Sequence, residues 1–297
     1  MSAIESVPYE ELGRPIRGPA ALTADWSRFW HLTFNIARTQ WKLRFFGSVL
    51  GYFWQLVRPL LMFGVLWVFF TVIGHIGRGP SAAPGHPNHF YGAQLLGSIV
   101  LFTFFAEATG GAVRSVVENE ALVRKIQFPR LVIPLSVVLL GMFNLGLNLI
   151  IVFIFALASG VRPMLTWLEL PLLVAMLTVF STGLAMLLSS AYVYFRDVAP
   201  IWEVLSQVLF YASPVIIPIT AVTAKLSTTL VHLYMLSPLA TIFQQFRHAM
   251  INHATPSAAT LLGGAAGVLA PIAITLAFFI VGFVVFNRTA PYVAENL

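Results

Sequence analysis

Glu118, Glu120, Arg124 and Lys125 fall within eight positions of a chain in which only 9% of residues are charged, and Arg130 follows directly after Pro129. Acids and bases packed this closely can make directional polar contacts to another protein. Apolar runs of membrane-spanning length flank the stretch on both sides, so it must lie in water, and it is too short to be a domain. It reads as a small helix over about residues 118–128, held at the membrane surface for a partner to push on.

Elsewhere the chemistry is sparse. There are no cysteines, which excludes disulfides, thiolate metal sites and cysteine nucleophiles. None of the three lysines, Lys42, Lys125 and Lys225, follows a glycine, so there is no GxxxxGK[ST] phosphate loop. The only aspartates are Asp25 and Asp197, too few for an aspartate-rich magnesium–diphosphate motif, and no HExxH occurs. His86 and His89 sit in a Pro/Gly-rich loop and read as solvated surface rather than metal ligands. Glu107 is the one ionisable group inside an apolar run. A buried acid costs about 2–4 kcal/mol, so it needs a purpose; a hydrogen-bonded partner is the favoured one over a substrate or proton site. One acid is thin support for ion coupling. No catalytic residues and no metal ligands are expected in this chain.

The elements that must position these groups follow from composition. With 58% hydrophobic residues, the chain is a membrane protein. Its net charge of +6 is spread between apolar spans, which fits anionic lipid as the partner and argues against nucleic acid. Six uncharged or nearly uncharged runs are long enough to cross a bilayer, about 20 residues each: 59–77, 92–113 (broken by Glu107), 131–161, 170–195, 204–224 and 262–286. The run 226–246 is uncharged but rich in Ser, Thr and Gln, and Pro214 and Pro218 lie just upstream. Broken backbone at membrane depth is tolerated only when protein or a cavity covers it, so 214–247 reads as a re-entrant helical hairpin between spans five and six. Thirteen of the 17 Lys and Arg residues then fall on one side with both termini, which the positive-inside rule makes cytoplasmic.

Before the first span, Arg28, His31, Asn35, Arg38 and Lys42 repeat at 3-4-3-4 spacing, with Trp26, Trp30, Phe34, Ala37, Trp41 and Phe45 on the opposite side. This predicts an amphipathic interface helix over 25–46, with Asp25 as a candidate N-cap. Residues 1–24 are expected to be irregular cytoplasmic chain, and 47–297 a single all-α transmembrane domain.

Four stretches in register are FGSVLGYFWQLVRPLL (46–61), ENEALVRKIQFPRLVIPLS (118–136), YFRDVAPIWEVLSQVLFYASPVI (194–216) and LSPLATIFQQFRHAM (236–250). On these the chain resembles the transmembrane subunit of ATP-binding-cassette exporters of lipid-linked polysaccharide, the group that moves O-antigen, capsule, teichoic acid or cell-wall galactan. It departs from the family at Arg58 and Ser237, where Asn often precedes the proline, and in its N-terminal extension.

The resemblance implies a homodimer of this chain with two cytoplasmic ATPases in the bacterial inner (plasma) membrane. ATP and magnesium would be used by the partner and no cofactor bound here. The segment 118–128 becomes a coupling helix, with Glu118, Asn119, Glu120, Arg124 and Lys125 as polar contacts, Leu122 and Phe128 as apolar knobs, and Pro129 as its physical stop. The interface helix (Trp26, Arg28, Trp30, Arg38, Trp41, Lys42) becomes a second contact. Candidates to line a wet pore are Phe69, Phe70, Phe102, Phe104, Phe105 and Tyr211, with the hairpin at Pro214 and Pro218 as the outer gate. Rival readings are a membrane acyl- or glycosyltransferase acting on polyprenyl-linked substrates, and an ion-coupled lipid flippase.

Overall fold

The computed structural model of the chain describes residues 26–44, 51, 53–76, 86, 88–119, 129–251 and 253–290. The N-terminal 24 residues, and Glu120, Leu122, Arg124, Lys125 and Phe128 of the coupling segment, lie outside the described residues. The described residues form helices and turns with no strand among them.

Helix α1 covers Trp26–Arg44, and α2 covers Phe53–Val68 and runs on as a π-helical turn, Phe69–Ile73. Then come α3 (Tyr91–Glu118), α4 (Val132–Ala158) and α5 (Leu170–Tyr194). The second half holds α6 (Val198–Ala212), α7 (Ile219–Thr223), α8 (Thr228–Met235), α9 (Pro238–Phe246), α10 (Ala258–Leu261) and α11 (Leu269–Thr289). Five of these stretches are long and apolar enough to cross a membrane: Phe53–Ile73, Tyr91–Glu118, Val132–Ala158, Leu165–Tyr194 and Ala265–Thr289. Helices apolar on every side belong in lipid or a core, so the chain is a multi-pass membrane protein.

The fifth run of the sequence, 204–224, does not form one long helix. Helix α6 starts at Val198 and stops at Ala212, about 22 Å at 1.5 Å per residue, short of a bilayer core of about 30 Å. Pro214 is the cause: the residue before a proline is pushed from the helical region, and Ser213 is extended at φ −82, ψ 157. The first span also begins earlier than expected, because Pro59 sits inside α2 rather than at its start.

α3 is the most enclosed of the long helices and packs against α2, α4, α5 and α6. Its buried hydroxyls are satisfied one turn back, Ser98 Oγ donating to Gln94 O at 2.8 Å and Thr109 Oγ1 to Phe105 O at 2.7 Å, as burial of a polar group demands. α5 and α11 touch backbone to backbone: a Cβ on Gly183 would fall 2.7 Å from the Phe279 nitrogen, and one on Gly282 would strike the Gly183 carbonyl. One cluster of buried residues gathers Phe29 of α1, Val116 of α3, Leu131, Val132 and Ile133 at the start of α4, Val193 of α5 and Phe286 of α11. These ends therefore share one end of the bundle, and Glu118, Asn119, Pro129, Arg130 and Arg288 lie there too.

Candidate functional site

Helices α2, α3 and α6 enclose an open furrow. Its wider part is a cavity of about 700 Å³ lined by Arg58, Met62, Phe102, Glu107, Gln207 and Tyr211, among others. Toward the α1 end it continues as a cavity of about 580 Å³ lined by Arg58, Arg114, Glu118, Trp202, Glu203 and Gln207. Arg58, Ala106, Gly110, Gly111, Ser206 and Gln207 line both, so the two are one continuous channel-shaped face. A Cβ on Gly110 would meet nothing within 4 Å; this glycine leaves open space in the furrow.

Glu107, on α3, stands at the furrow wall and is fixed by donors from two neighbouring helices. Gln55 of α2 donates from Nε2 to its Oε1 at 3.0 Å and its Oε2 at 3.2 Å. Asn144 of α4 donates from Nδ2 to Oε2 at 3.0 Å. The Asn144 Oδ1 in turn accepts the indole N–H of Trp41, on α1, at 3.2 Å. A carboxylate accepts only, so donors on both its oxygens suit it. Four helices thus meet in one polar chain from α1 to the furrow, and Arg44 lines a smaller cavity of about 200 Å³ beside Glu107. The favoured reading of Glu107, a hydrogen-bonded acid, matches this geometry. Gln55 and Asn144 were missed by sequence reasoning, although a buried pair of asparagines four apart (Asn144, Asn148) in an uncharged span was a visible signal.

The proposed pore aromatics separate. Tyr211 is exposed in the furrow, and Phe102 is 6% exposed at its floor, where its ring meets Phe210 edge-on at 5.0 Å. Phe104 and Phe105 are core. Phe104 is buried against Gly141, and Phe105 stacks on Phe180 at 5.8 Å and meets Trp202 at 6.1 Å. Neither lines the furrow. Phe69 is exposed on the π-helical turn, away from the furrow lining, and Phe70 is half-buried against the core.

α1 docks on α4 through Phe29, Thr33 and Ala37, a narrow i, i+4, i+8 stripe, with Trp41 half-buried. The expected apolar side was wider: Trp26, Trp30 and Phe34 are 61%, 43% and 47% exposed. One helix face meets one neighbour, so the outer tryptophans stay at the rim. Arg28, Arg38 and Lys42 are exposed. Of the coupling segment, Glu118 is the last residue of α3 and Asn119 closes that helix, donating from Nδ2 to Ser115 O at 2.7 Å.

After α6 the chain turns through buried Pro214 and Pro218. Arg247, the last residue of the hairpin expected over 214–247, is 2% exposed and fastens this turn. It donates from Nη2 to Val215 O at 2.7 Å, from Nη1 to Ile217 O at 3.4 Å and from Nε to Ser98 Oγ at 3.2 Å. Tyr91 Oη donates to the carbonyl between them, Ile216 O, at 3.0 Å. Three successive carbonyls are therefore held by α3 and the segment after α9. Gln244 and Gln245 are used internally as well, Gln244 Nε2 donating to Pro256 O at 2.7 Å and Gln245 Nε2 to Glu169 Oε2 at 2.6 Å, whereas Ser227, Thr228 and Thr229 are exposed.

A multi-pass helical bundle with a basic amphipathic helix docked at one end and a polar furrow along its flank has the layout of a transporter's membrane subunit. The ABC-2 type transporter family model matches residues 31–251, well over half of the chain, and the chain belongs to that family. Among its relatives, an O-antigen export system permease protein, RfbA, of Myxococcus xanthus is 26% identical over 235 residues, covering 79% of this chain and 86% of its own length. A protein of the same name from Klebsiella pneumoniae is 24% identical over 212 residues, 71% of this chain and 76% of its own.

Proposed function

We propose that this chain is the permease subunit of an ATP-driven exporter of lipid-linked polysaccharide, and that the furrow between α2, α3 and α6 is one wall of the conduit. The furrow carries this reading: it is long, open and lined by Arg58, Glu107, Arg114, Glu203, Ser206 and Gln207 within a bundle otherwise sheathed in apolar residues. Stripping a hydroxyl of water without a partner costs a few kcal/mol, and a glycan carries many, so its path must be wet and polar. A second copy of the chain, set furrow to furrow, would close the path. The two O-antigen permease relatives support the substrate class.

The same reading sets the α1 end in the cytoplasm of a bacterial inner-membrane protein and seats a nucleotide-hydrolysing partner on α1 and the 118–128 segment. It keeps six crossings, with α6 continuing through the 213–218 turn and α7–α9 forming the outer re-entrant gate. Motion of α1 would reach the furrow through Trp41, Asn144 and Glu107.

The test is Gly110→Phe in the reconstituted exporter. A Cβ here meets nothing within 4 Å and the position lines the furrow, so helix content and ATP hydrolysis should stay near wild-type values while glycan export falls about tenfold or more, the loss expected when a sterically filled path adds about 1.4 kcal/mol or more. Unchanged export by this variant would remove the furrow from the path.

A further inference from the structure

On the side of the bundle away from the furrow lies a second cavity, about 440 Å³, between α1, α4, α5 and α11. Its lining includes Leu135, Val138, Met142, Thr182, Met186 and Phe283, with Trp26 and Trp30 at one end. The volume is that of a ligand pocket. Along α4 it extends from Leu131 to Met142, about 17 Å at 1.5 Å per residue, close to half of a hydrocarbon core of about 30 Å. The slot is therefore one leaflet deep.

Its walls offer an occupant nothing to hydrogen-bond. Thr178 Oγ1 donates to Val174 O and Thr182 Oγ1 to Thr178 O, both at 2.7 Å, so both hydroxyl hydrogens are already committed to the helix. A sugar or a water file would lose its partners here; a hydrocarbon chain loses none. The mouth is different. Two indole rings sit there, the side chains that settle at headgroup depth. Residues 25–44 hold Arg28, Arg38, Lys42 and Arg44 against a single carboxylate, Asp25. α11 ends with Arg288, and the buried cluster that joins Phe29 to Phe286 brings that end beside α1.

We propose that this slot binds an anionic phospholipid from the leaflet next to α1, one hydrocarbon chain lying between α4, α5 and α11 and the phosphate facing Arg28 and Arg288 at the tryptophan end. It is a site for a resident lipid at the helix through which the partner would act, separate from the conduit and independent of which glycan is carried.

The experiment uses the purified full chain, stripped of lipid in detergent and offered equal phosphatidylglycerol and phosphatidylcholine, with adducts read by native mass spectrometry. Retention should favour phosphatidylglycerol by about fivefold for each contributing cation, the ratio equivalent to about 1 kcal/mol per Lys or Arg at an anionic surface. Filling the slot by Thr182→Phe or, at a half-buried position, by Leu139→Phe should remove the retained lipid. Leu172→Phe, at an exposed position in a separate cavity of about 480 Å³ that Glu169, Gln245 and Ile272 also line, should not. Arg28→Gln with Arg288→Gln should keep a bound lipid but erase the headgroup preference. Circular dichroism checks that each variant is folded. Equal retention of both lipids by the wild type, unchanged retention by a folded slot-filling variant, or a slot covered by a second copy that binds no lipid would each overturn the assignment.

Discussion

Asn144 holds two neighbours at once: its Nδ2 donates to Glu107 Oε2 at 3.0 Å while its Oδ1 receives the Trp41 indole N–H at 3.2 Å. No leucine can do both. In Asn144→Leu, the Trp41 indole N–H loses this acceptor and Glu107 Oε2 keeps only the longer bond from Gln55. Each buried unsatisfied group costs about 1–3 kcal/mol, so thermal unfolding of the purified chain should fall by several degrees. If α1 moves the furrow through this contact, ATP hydrolysis by the complex should persist while export per ATP drops. A variant that lowers hydrolysis and export equally would make the contact structural only.

Glu107 separates ATP-driven from ion-coupled transport. Glu107→Gln keeps an oxygen acceptor for Gln55 or Asn144 but carries no charge. On the present account it retains at least partial ATP-dependent export and shows no new dependence on a proton gradient, measured in vesicles with and without an ionophore. Complete loss of transport with an intact fold would favour the ion-coupled reading.

Gly183 and Gly282 set the α5–α11 distance. A Cβ at Gly183 would sit 2.7 Å from Phe279 backbone atoms, and backbone cannot step aside as a flexible side chain can. Overpacking costs about 1–3 kcal/mol, so Gly183→Ala should lower the unfolding temperature. Gly110→Ala, facing open space, should raise it slightly, since Ala exceeds Gly in a helix by about 1 kcal/mol. Equal responses at the two sites would contradict the close crossing.

Much of this arrangement was legible beforehand, for reasons that differ by element. α3, α4 and α5 declare themselves because uncharged runs bounded by charge have few alternatives. The fifth run extends to 224 because hydropathy continues past Pro214, while the helix stops at Ala212; Pro214 itself was legible as the start of a hairpin. Phe104 and Phe105 look identical in sequence to a furrow-facing aromatic such as Tyr211, and only packing against Gly141 and Phe180 distinguishes them. Arg247 was the least legible. A lone cation at the edge of an apolar run reads as a loop residue, and its partners are carbonyls, which every residue carries.

Arg247 gives the sharpest gate prediction. Three donors from one guanidinium reach Val215 O, Ile217 O and Ser98 Oγ, and a hydrogen bond to a charged group contributes about 1.5–3 kcal/mol. Arg247→Met should free the 213–218 turn, read as faster proteolysis there in the folded protein. Arg247→Lys, a point donor without the planar fork, should recover only part of the protection. No change in cleavage for Arg247→Met would mean that Tyr91 alone holds the turn.

The central claim is that this chain is a conduit worked by another subunit's hydrolysis. Vesicles containing the purified chain with lipid-linked glycan, with and without the cognate ATPase and ATP, test it most directly. The account predicts glycan export only when chain, ATPase and ATP are present together. Sustained export by the chain alone, with no nucleotide-hydrolysing subunit in the vesicle, would contradict it.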